Sequence, residues 1–367
     1  MDKLNSIDFA LDPRHPPSFL LDWEITMKCN LDCSYCFTGL DGGHDNTTEH
    51  PPLEKCLESI DFMYQYVDEY MKFKKTYQKK VVLNVYGGES IFHPHILEIL
   101  KYLEQKKSVY KDWKLSIGLI TNGITSLTRW KKICQYVDYF SMSFHSESLD
   151  KQQKMFRRNV EYLVEQNKNY HVAVLMHPKF WDICIDQIQW CKNNNVKYHP
   201  RQLDHGFFDL RFNYNSEQTE FLTGIKKIPI TTKVISFFKK GVDLSAQGRA
   251  CCGGEILCTS NEQSTKYIKG NNFKGWYCSV NKFFLYIKQT TGEIYTNKDC
   301  KMNLEGRQGV IGYLNNSDEV LSNLKHNLAN NTLPTIVCKK SSCWCGLCSP
   351  KAADIETYNT IMKKYTI

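Results

Sequence analysis

Between residues 19 and 204 the chain alternates between two hydrophobic periods. Runs rich in apolar, β-branched and aromatic residues occur at FLLDWEITMKC (19–29), VVLNVYGGE (81–89), WKLSIGLITNG (113–123), YFSMSFHSE (139–147), HVAVLMHP (171–178) and VKYHPRQLD (196–204). Each reads as a β-strand. Helical spacing fills the intervals: Leu53, Leu57, Ile60, Tyr64, Val67 and Met71 recur at steps of four and three after Pro51-Pro52, and Ile96, Ile99, Leu100 and Leu103 do so after Pro94. Six strands alternating with five helices predict an α/β fold with a parallel sheet and right-handed crossovers. In such sheets, open or closed into a barrel, chemistry gathers at the C-terminal strand ends.

The polar motifs fall where that rule puts them. MKCNLDCSYCF follows the first strand with Cys29, Cys33 and Cys36; Gly87-Gly88-Glu89 ends the second, Thr121-Asn122-Gly123 the third, and Ser143 to His145 the fourth. Composition is that of a folded protein, 42% hydrophobic and 23% charged over 367 residues. No stretch approaches the roughly eighteen apolar residues of a membrane span, and the N-terminus lacks the pattern of a signal peptide. The expectation is a soluble cytoplasmic protein with no membrane partner. Net charge is +8, but the basic residues are dispersed; the densest run, Lys72 to Lys80, follows an amphipathic helix and reads as a solvated helix end rather than a patch for nucleic acid, which is not an expected partner.

Sixteen cysteines change the picture. In a reducing compartment they point to metal rather than disulfides. Cys56, Cys134, Cys184 and Cys191 lie in helical stretches and read as buried small hydrophobes. Three cysteines within eight positions are different. A structural zinc site or a complete iron–sulfur cluster normally takes four protein ligands, so a compact set of three suggests a metal site left open for a substrate. Zinc remains the alternative at this point.

Cys29-x3-Cys33-x2-Cys36, with Tyr35 before the last cysteine, resembles the signature of the radical S-adenosylmethionine (radical SAM) superfamily. YGGE resembles that family's glycine-rich strand end, and LITNG and SMSFH its third and fourth strand ends. The resemblance implies a partial (β/α)6 TIM-type barrel over residues 18–205 and a [4Fe-4S] cluster whose open iron is chelated by S-adenosylmethionine (SAM). It implies reductive cleavage of SAM to methionine and a 5′-deoxyadenosyl radical that takes hydrogen from a substrate. Flavodoxin or ferredoxin would donate the electron. Cys29, Cys33 and Cys36 become the cluster ligands, and Tyr35, Gly87, Gly88, Glu89, Asn122, Ser143, His145 and Arg201 the cofactor-binding residues. Gly87 and Gly88 let backbone approach a ligand closely, Glu89 offers an acceptor to the methionine ammonium, and Arg201 could pair with a carboxylate. HVAVLMHP lacks the glycine-containing pattern of many members.

The remaining nine cysteines fall between Cys251 and Cys348. Cys278 and Cys300 flank a predicted hairpin turning at Thr291-Gly292, and Cys338, Cys343, Cys345 and Cys348 close the set. This cysteine-rich C-terminal α+β extension, residues 251–367 beyond a 206–250 linker, is similar to SPASM or twitch extensions. The similarity implies an auxiliary Fe–S cluster held by Cys278, Cys300, Cys338, Cys343, Cys345 and Cys348, with zinc the alternative; whether Cys251, Cys252 and Cys258 join them stays open. SPASM-type extensions accompany enzymes acting on peptides or proteins, the expected substrate class. About eighteen residues precede the barrel, fewer than a separate leader-peptide domain needs, so a small molecule or nucleotide remains the alternative. A zinc-binding interaction or nucleic-acid-binding protein is the non-enzymatic one, though it leaves the strand-end motifs unexplained.

Overall fold

The computed structural model describes residues 6–7, 19–36, 45–72, 80–203, 212–226, 274–296, 310–338 and 351–363. After a two-residue strand β1 (Ser6–Ile7), six strands alternate with five helices: β2 (Phe19–Thr26), α1 (Leu53–Lys72), β3 (Lys80–Gly87), α2 (Ile96–Val109), β4 (Lys114–Thr121), α3 (Leu127–Ile133), β5 (Tyr139–Phe144), α4 (Asp150–Glu165), β6 (Asn169–Met176), α5 (Trp181–Asn193) and β7 (Tyr198–Gln202). Strands β2 to β7 lie side by side in chain order, every neighbouring pair parallel. This is the predicted α/β sheet, an open arc of a barrel. Each predicted strand runs past the C-terminal end of the observed one, because the motif residues sit in the loops beyond.

Alternation decides what each face does. On β2, Phe19, Leu21, Trp23 and Ile25 enter the core against the helices, where α1 contributes Ile60, Met63 and Val67 and α2 contributes Ile96, Ile99, Leu100 and Leu103. The opposite, concave face carries polar groups that are also buried: Asp22 and Glu24 on β2, Asn84 on β3, Ser141 on β5 and His171 on β6. They partner one another, Asn84 Nδ2 donating to Asp22 Oδ1 at 2.8 Å and the Tyr139 hydroxyl donating to Asn84 Oδ1. Cys56, Cys134, Cys184 and Cys191 are buried in the helical layer as small hydrophobes.

The C-terminal segment joins this sheet. After α6 (Ser216–Lys226) and the short strand β8 (Tyr277–Cys278), β9 (Phe284–Lys288) pairs parallel to β2, with Leu20 opposite Phe284 and Glu24 opposite Lys288. The hairpin partner β10 (Glu293–Tyr295) and β11 (Val310–Tyr313) follow, giving nine strands in the order β11-β10-β9-β2-β3-β4-β5-β6-β7. The hairpin turns at the predicted position, Gly292 taking φ +72°, a left-handed conformation that glycine adopts without strain. Helix α7 (Ser317–Ala329) packs on α1, and β8 forms a small second sheet with β12 (Ile336–Val337) and β13 (Lys351–Ala352), followed by α8 (Ile355–Met362). Cys251, Cys252, Cys258, Cys300, Cys343, Cys345 and Cys348, and most of the 206–250 linker, lie outside the described residues. Among the described residues no helix is long and apolar enough to cross a membrane.

Candidate active site

A cavity of about 250 Å³ opens at the C-terminal strand ends. Cys29, Cys33, Tyr35, Cys36, Gly87, Gly88, Glu89, Asn122, Ser143, His145 and Arg201 all line it. Residues from several loops and strand ends, up to 172 positions apart in sequence (29 to 201), thus meet at one place.

The cysteine loop is built onto the neighbouring strand ends by backbone. Gly88 N donates to Thr26 O and Glu89 N to Lys28 O, both at 2.8 Å. A Cβ on Gly88 would stand 2.4 Å from Met27 O and 2.5 Å from Lys28 O. The Gly-Gly pair therefore admits the base of the cysteine loop itself. Further along, the Asn122 amide donates to Asn30 Oδ1 at 2.7 Å, and Asn30 Nδ2 to Ile124 O at 3.0 Å. Asn122 also shapes its own turn, Oδ1 accepting from Ile124 N at 2.9 Å.

Glu89 is buried and its carboxylate is already engaged. Oε1 accepts from Thr121 Oγ1 at 2.6 Å and from Ile91 N at 3.2 Å, and Oε2 from Asn122 N at 2.6 Å. Burial pushes its pKa up to about 7 against those three hydrogen bonds. It braces the ends of β3 and β4 as well as facing the cavity.

Beside the cysteines the rings of Tyr35 and His145 lie parallel, 2° apart in tilt with centroids 5.9 Å apart. His145 Nδ1 is 2.7 Å from the Tyr35 hydroxyl and 3.3 Å from Cys33 Sγ. Burial, reinforced by the Arg201 guanidinium, pushes His145 down to about 4, so its ring is neutral at pH 7. Burial pushes the Cys29 and Cys33 thiols up to about 12, the Glu89 carboxylate adding to the effect on Cys29. Half-buried thiols of this kind ionise when a cation takes the place of the proton.

The donor set fits an iron–sulfur cluster better than a lone ion. Three thiols from one loop line one cavity, and such a set suits a cluster in which each thiolate takes its own iron.

Several contributors escaped the sequence reading. Thr26 and Thr121 hold the strand ends, Tyr86, Gln202 and Leu203 line the cavity, and Glu147 accepts from Ser34 inside the cysteine loop. Glu147 and Thr121 stand within quoted motifs; their roles depend on partners far away in sequence.

Fold and site together describe an open α/β barrel whose strand ends present three thiols to one cavity. Residues 23–173 match the family model described as the radical SAM superfamily. That segment is similar to the domain of enzymes that use a [4Fe-4S] cluster and SAM. A search of curated protein sequences finds no match. Among solved structures, native anSMEcpe with bound AdoMet and Cp18Cys peptide is similar at 17% identity, covering 95% of this chain and 96% of that one with a TM-score of 0.54. Native anSMEcpe with bound AdoMet alone is similar at 16% identity, covering 95% of this chain and 96% of that one, TM-score 0.54. Streptococcus suis SuiB bound to S-adenosylmethionine matches at 14% identity over 80% of this chain and 63% of its own, TM-score 0.46.

Proposed function

We propose that the cavity binds SAM on a [4Fe-4S] cluster ligated by Cys29, Cys33 and Cys36, and that the enzyme takes hydrogen from a peptide or protein substrate. The observation that carries the reading is the convergence of those thiols with the ends of β3, β4, β5 and β7 on one cavity. When bound, the cluster supplies one electron to the sulfonium and so generates a 5′-deoxyadenosyl radical. The chain's own part is to bind and orient. Gly87, Gly88 and Glu89 present the end of β3 to the amino group, Ser143 and Asn122 offer polar contacts, Tyr35 and His145 form a flat wall for the adenine, and Arg201 offers a guanidinium to a carboxylate. Leu31, Ile120, Leu175 and Leu203 add apolar lining that limits water beside a reactive carbon.

The peptide reading draws support from the peptide bound to anSMEcpe in a fold that spans 95% of this chain. An auxiliary metal site is supported by Cys278 and Cys338. Ile336 stands opposite Cys278 in the β8–β12 pair, and Cys338 N donates to Trp276 O at 2.8 Å. Alternation then puts both cysteines on one face as diagonal neighbours, roughly 7 Å apart, and both are buried. With Cys300, Cys343, Cys345 and Cys348 they form the proposed thiolate set. Flavodoxin or ferredoxin is the proposed electron donor.

The test is anaerobic reconstitution with iron and sulfide, then SAM and dithionite. The protein should turn brown and form 5′-deoxyadenosine, and Cys33→Ala should form none. Product persisting in Cys33→Ala would refute the ligand assignment. Short peptides should accelerate 5′-deoxyadenosine formation more than free amino acids or nucleosides do; the reverse order would overturn the substrate class.

A further inference from the structure

The cysteine loop has two halves, held differently. Its proximal half rests on backbone and amide contacts: Asp45 N donates to Met27 O at 2.7 Å, Cys29 N to Asn46 Oδ1 at 2.9 Å, and Asn30 bonds with Asn122. The distal half, Cys33 to Cys36, closes on itself through Cys36 N donating to Cys33 O at 2.9 Å. A carboxylate ties its backbone to the rest of the barrel. Glu147, in the loop after β5, accepts from Ser34 N through Oε2 at 2.7 Å and from the Ser34 hydroxyl through Oε1 at 2.6 Å. Both distances are those of charge-assisted hydrogen bonds.

Glu147 also reaches a third loop. His177, buried at the end of β6, accepts from Lys179 N through Nδ1 at 3.1 Å, which leaves the proton on Nε2. Nε2 faces Glu147 Oε1 at 3.5 Å. One carboxylate therefore joins the loops following β2, β5 and β6. Its side chain is only 17% exposed although Ser34 is at the surface, so few water hydrogen bonds compete with the protein ones. Electrostatics opposes the placement, since a carboxylate acts on the Cys33 thiolate as a like charge. Geometry supplies the reason for keeping it there: the two oxygens fix the peptide between Cys33 and Tyr35, and so the direction in which Cys33 and Cys36 point.

We propose that Glu147 is a positioning residue that clamps Ser34 and thereby sets the presentation of Cys33 and Cys36. Its effect on cofactor chemistry rests on the radical SAM reading above; the clamp does not. Two variants separate geometry from charge. Glu147→Ala removes both acceptors. Glu147→Gln removes the charge but retains one acceptor for Ser34 N, while the Ser34 hydroxyl rotates to accept from the new amide.

The experiment runs in two arms. In metal-free protein, hydrogen exchange of segment 33–36 should accelerate about tenfold in Glu147→Ala, with helix α2 unchanged, and Glu147→Gln should stay near wild type; equal protection in all three proteins overturns the clamp. In reconstituted protein, Glu147→Ala should release iron to a chelator and lose 5′-deoxyadenosine formation by about tenfold or more, as groups orienting metal ligands do. Glu147→Gln should restore most of both, and Ser34→Ala, which keeps the N–H bond, should fall between. The change that SAM makes in the electron-spin spectrum of the reduced cluster should weaken in Glu147→Ala and survive in Glu147→Gln. Iron release and spectra unaltered in Glu147→Ala would refute the action on the ligands. A wild-type protein that takes up no cluster would sink the functional reading instead, and the exchange arm would still decide the clamp.

Discussion

Gly88→Ala isolates the contact between the cysteine loop and the sheet. The added methyl would meet Met27 O at 2.4 Å, Lys28 O at 2.5 Å and Lys28 C at 2.7 Å, all of them backbone atoms. No side-chain rotamer can relieve that overlap, so either β3 or the loop base must shift by several tenths of an ångström. Overpacking of this kind costs about 1–3 kcal/mol. The shift also strains two hydrogen bonds, Gly88 N to Thr26 O and Glu89 N to Lys28 O, each worth about 1 kcal/mol. The total is about 3–5 kcal/mol. Thermal unfolding of metal-free protein should move down by roughly 4–7 °C, and iron uptake on reconstitution should fall because Cys29 lies one residue beyond the displaced carbonyl. Val109→Ala, on an exposed surface position, should change neither quantity. A Gly88→Ala protein with wild-type Tm and iron content would refute the close-approach account of the Gly-Gly pair.

Acid should destabilise the metal-free fold. His93, His145 and His171 are each pushed down to about 4, burial being the leading cause. An unfolded histidine takes its proton near 6.5, so between about 6.5 and 4 the unfolded chain binds more protons and stability falls as pH falls. Glu89, raised to about 7, works in the opposite direction over the same window and offsets one histidine. Two protons net from pH 7 to 5 amount to about 4 kcal/mol, measurable by denaturant titration, and His93→Gln should remove about one proton from the slope. Glu89→Gln should destabilise by about 1–3 kcal/mol, because the amide nitrogen would face the donors Asn122 N or Thr121 Oγ1; a neutral effect would show that the carboxylate is no brace. Tyr286→Phe should destabilise by about 2–4 kcal/mol, since Glu24 is 1% exposed, accepts from the Tyr286 hydroxyl at 2.9 Å and has no partner for Oε1 among the described residues. Adding Glu24→Gln should recover part of that loss in a double-mutant cycle.

The barrel strands were legible because each is buried on its helix-facing side by a run the eye can find, and because proline and helical periodicity mark what lies between. α2 shows the limit in its favour, its four periodic residues all reaching the core. The place of the cavity was legible: residues with unlike chemistry at successive strand ends had to share a rim. What escaped was pairing. Nothing local in YFSMSFHSE says that its last residue reaches back 113 positions to Ser34, or that the glycines of YGGE make room for the protein's own backbone. The polar concave face was hidden too. Asp22 and Glu24 lie inside an apolar run, and what satisfies them, Asn84 and Tyr286, comes from other strands.

The attachment of β9 to β2 has a physical consequence for how the two halves of the chain communicate. A six-stranded open sheet would leave β2 as an edge with unpaired backbone groups next to the cysteine loop. β9 covers that edge, Leu20 N donates to Phe283 O at 2.7 Å, and Gln289 N donates to Glu24 O at 2.9 Å. Gln289 then seals the corner with its side chain, accepting from Trp23 Nε1 at 2.8 Å and donating to Lys55 O at 3.1 Å. These contacts place Tyr286 nearly parallel to Tyr86, with centroids 6.4 Å apart and 17° between planes. Tyr86 lines the cavity, and Cys278 belongs to the same buried cluster as Tyr86 and Tyr286. One continuous apolar block thus runs from the cavity wall to Cys278, a member of the proposed C-terminal thiolate set. Loosening β9 should therefore disturb both places at once, and the most direct perturbation, Leu285→Ala on the fully buried face of β9, costs about 2–5 kcal/mol for a leucine cavity. Thiol labelling of metal-free Leu285→Ala should show Cys278 and Cys29 becoming accessible together; exposure of Cys278 alone would show that the two halves are energetically independent.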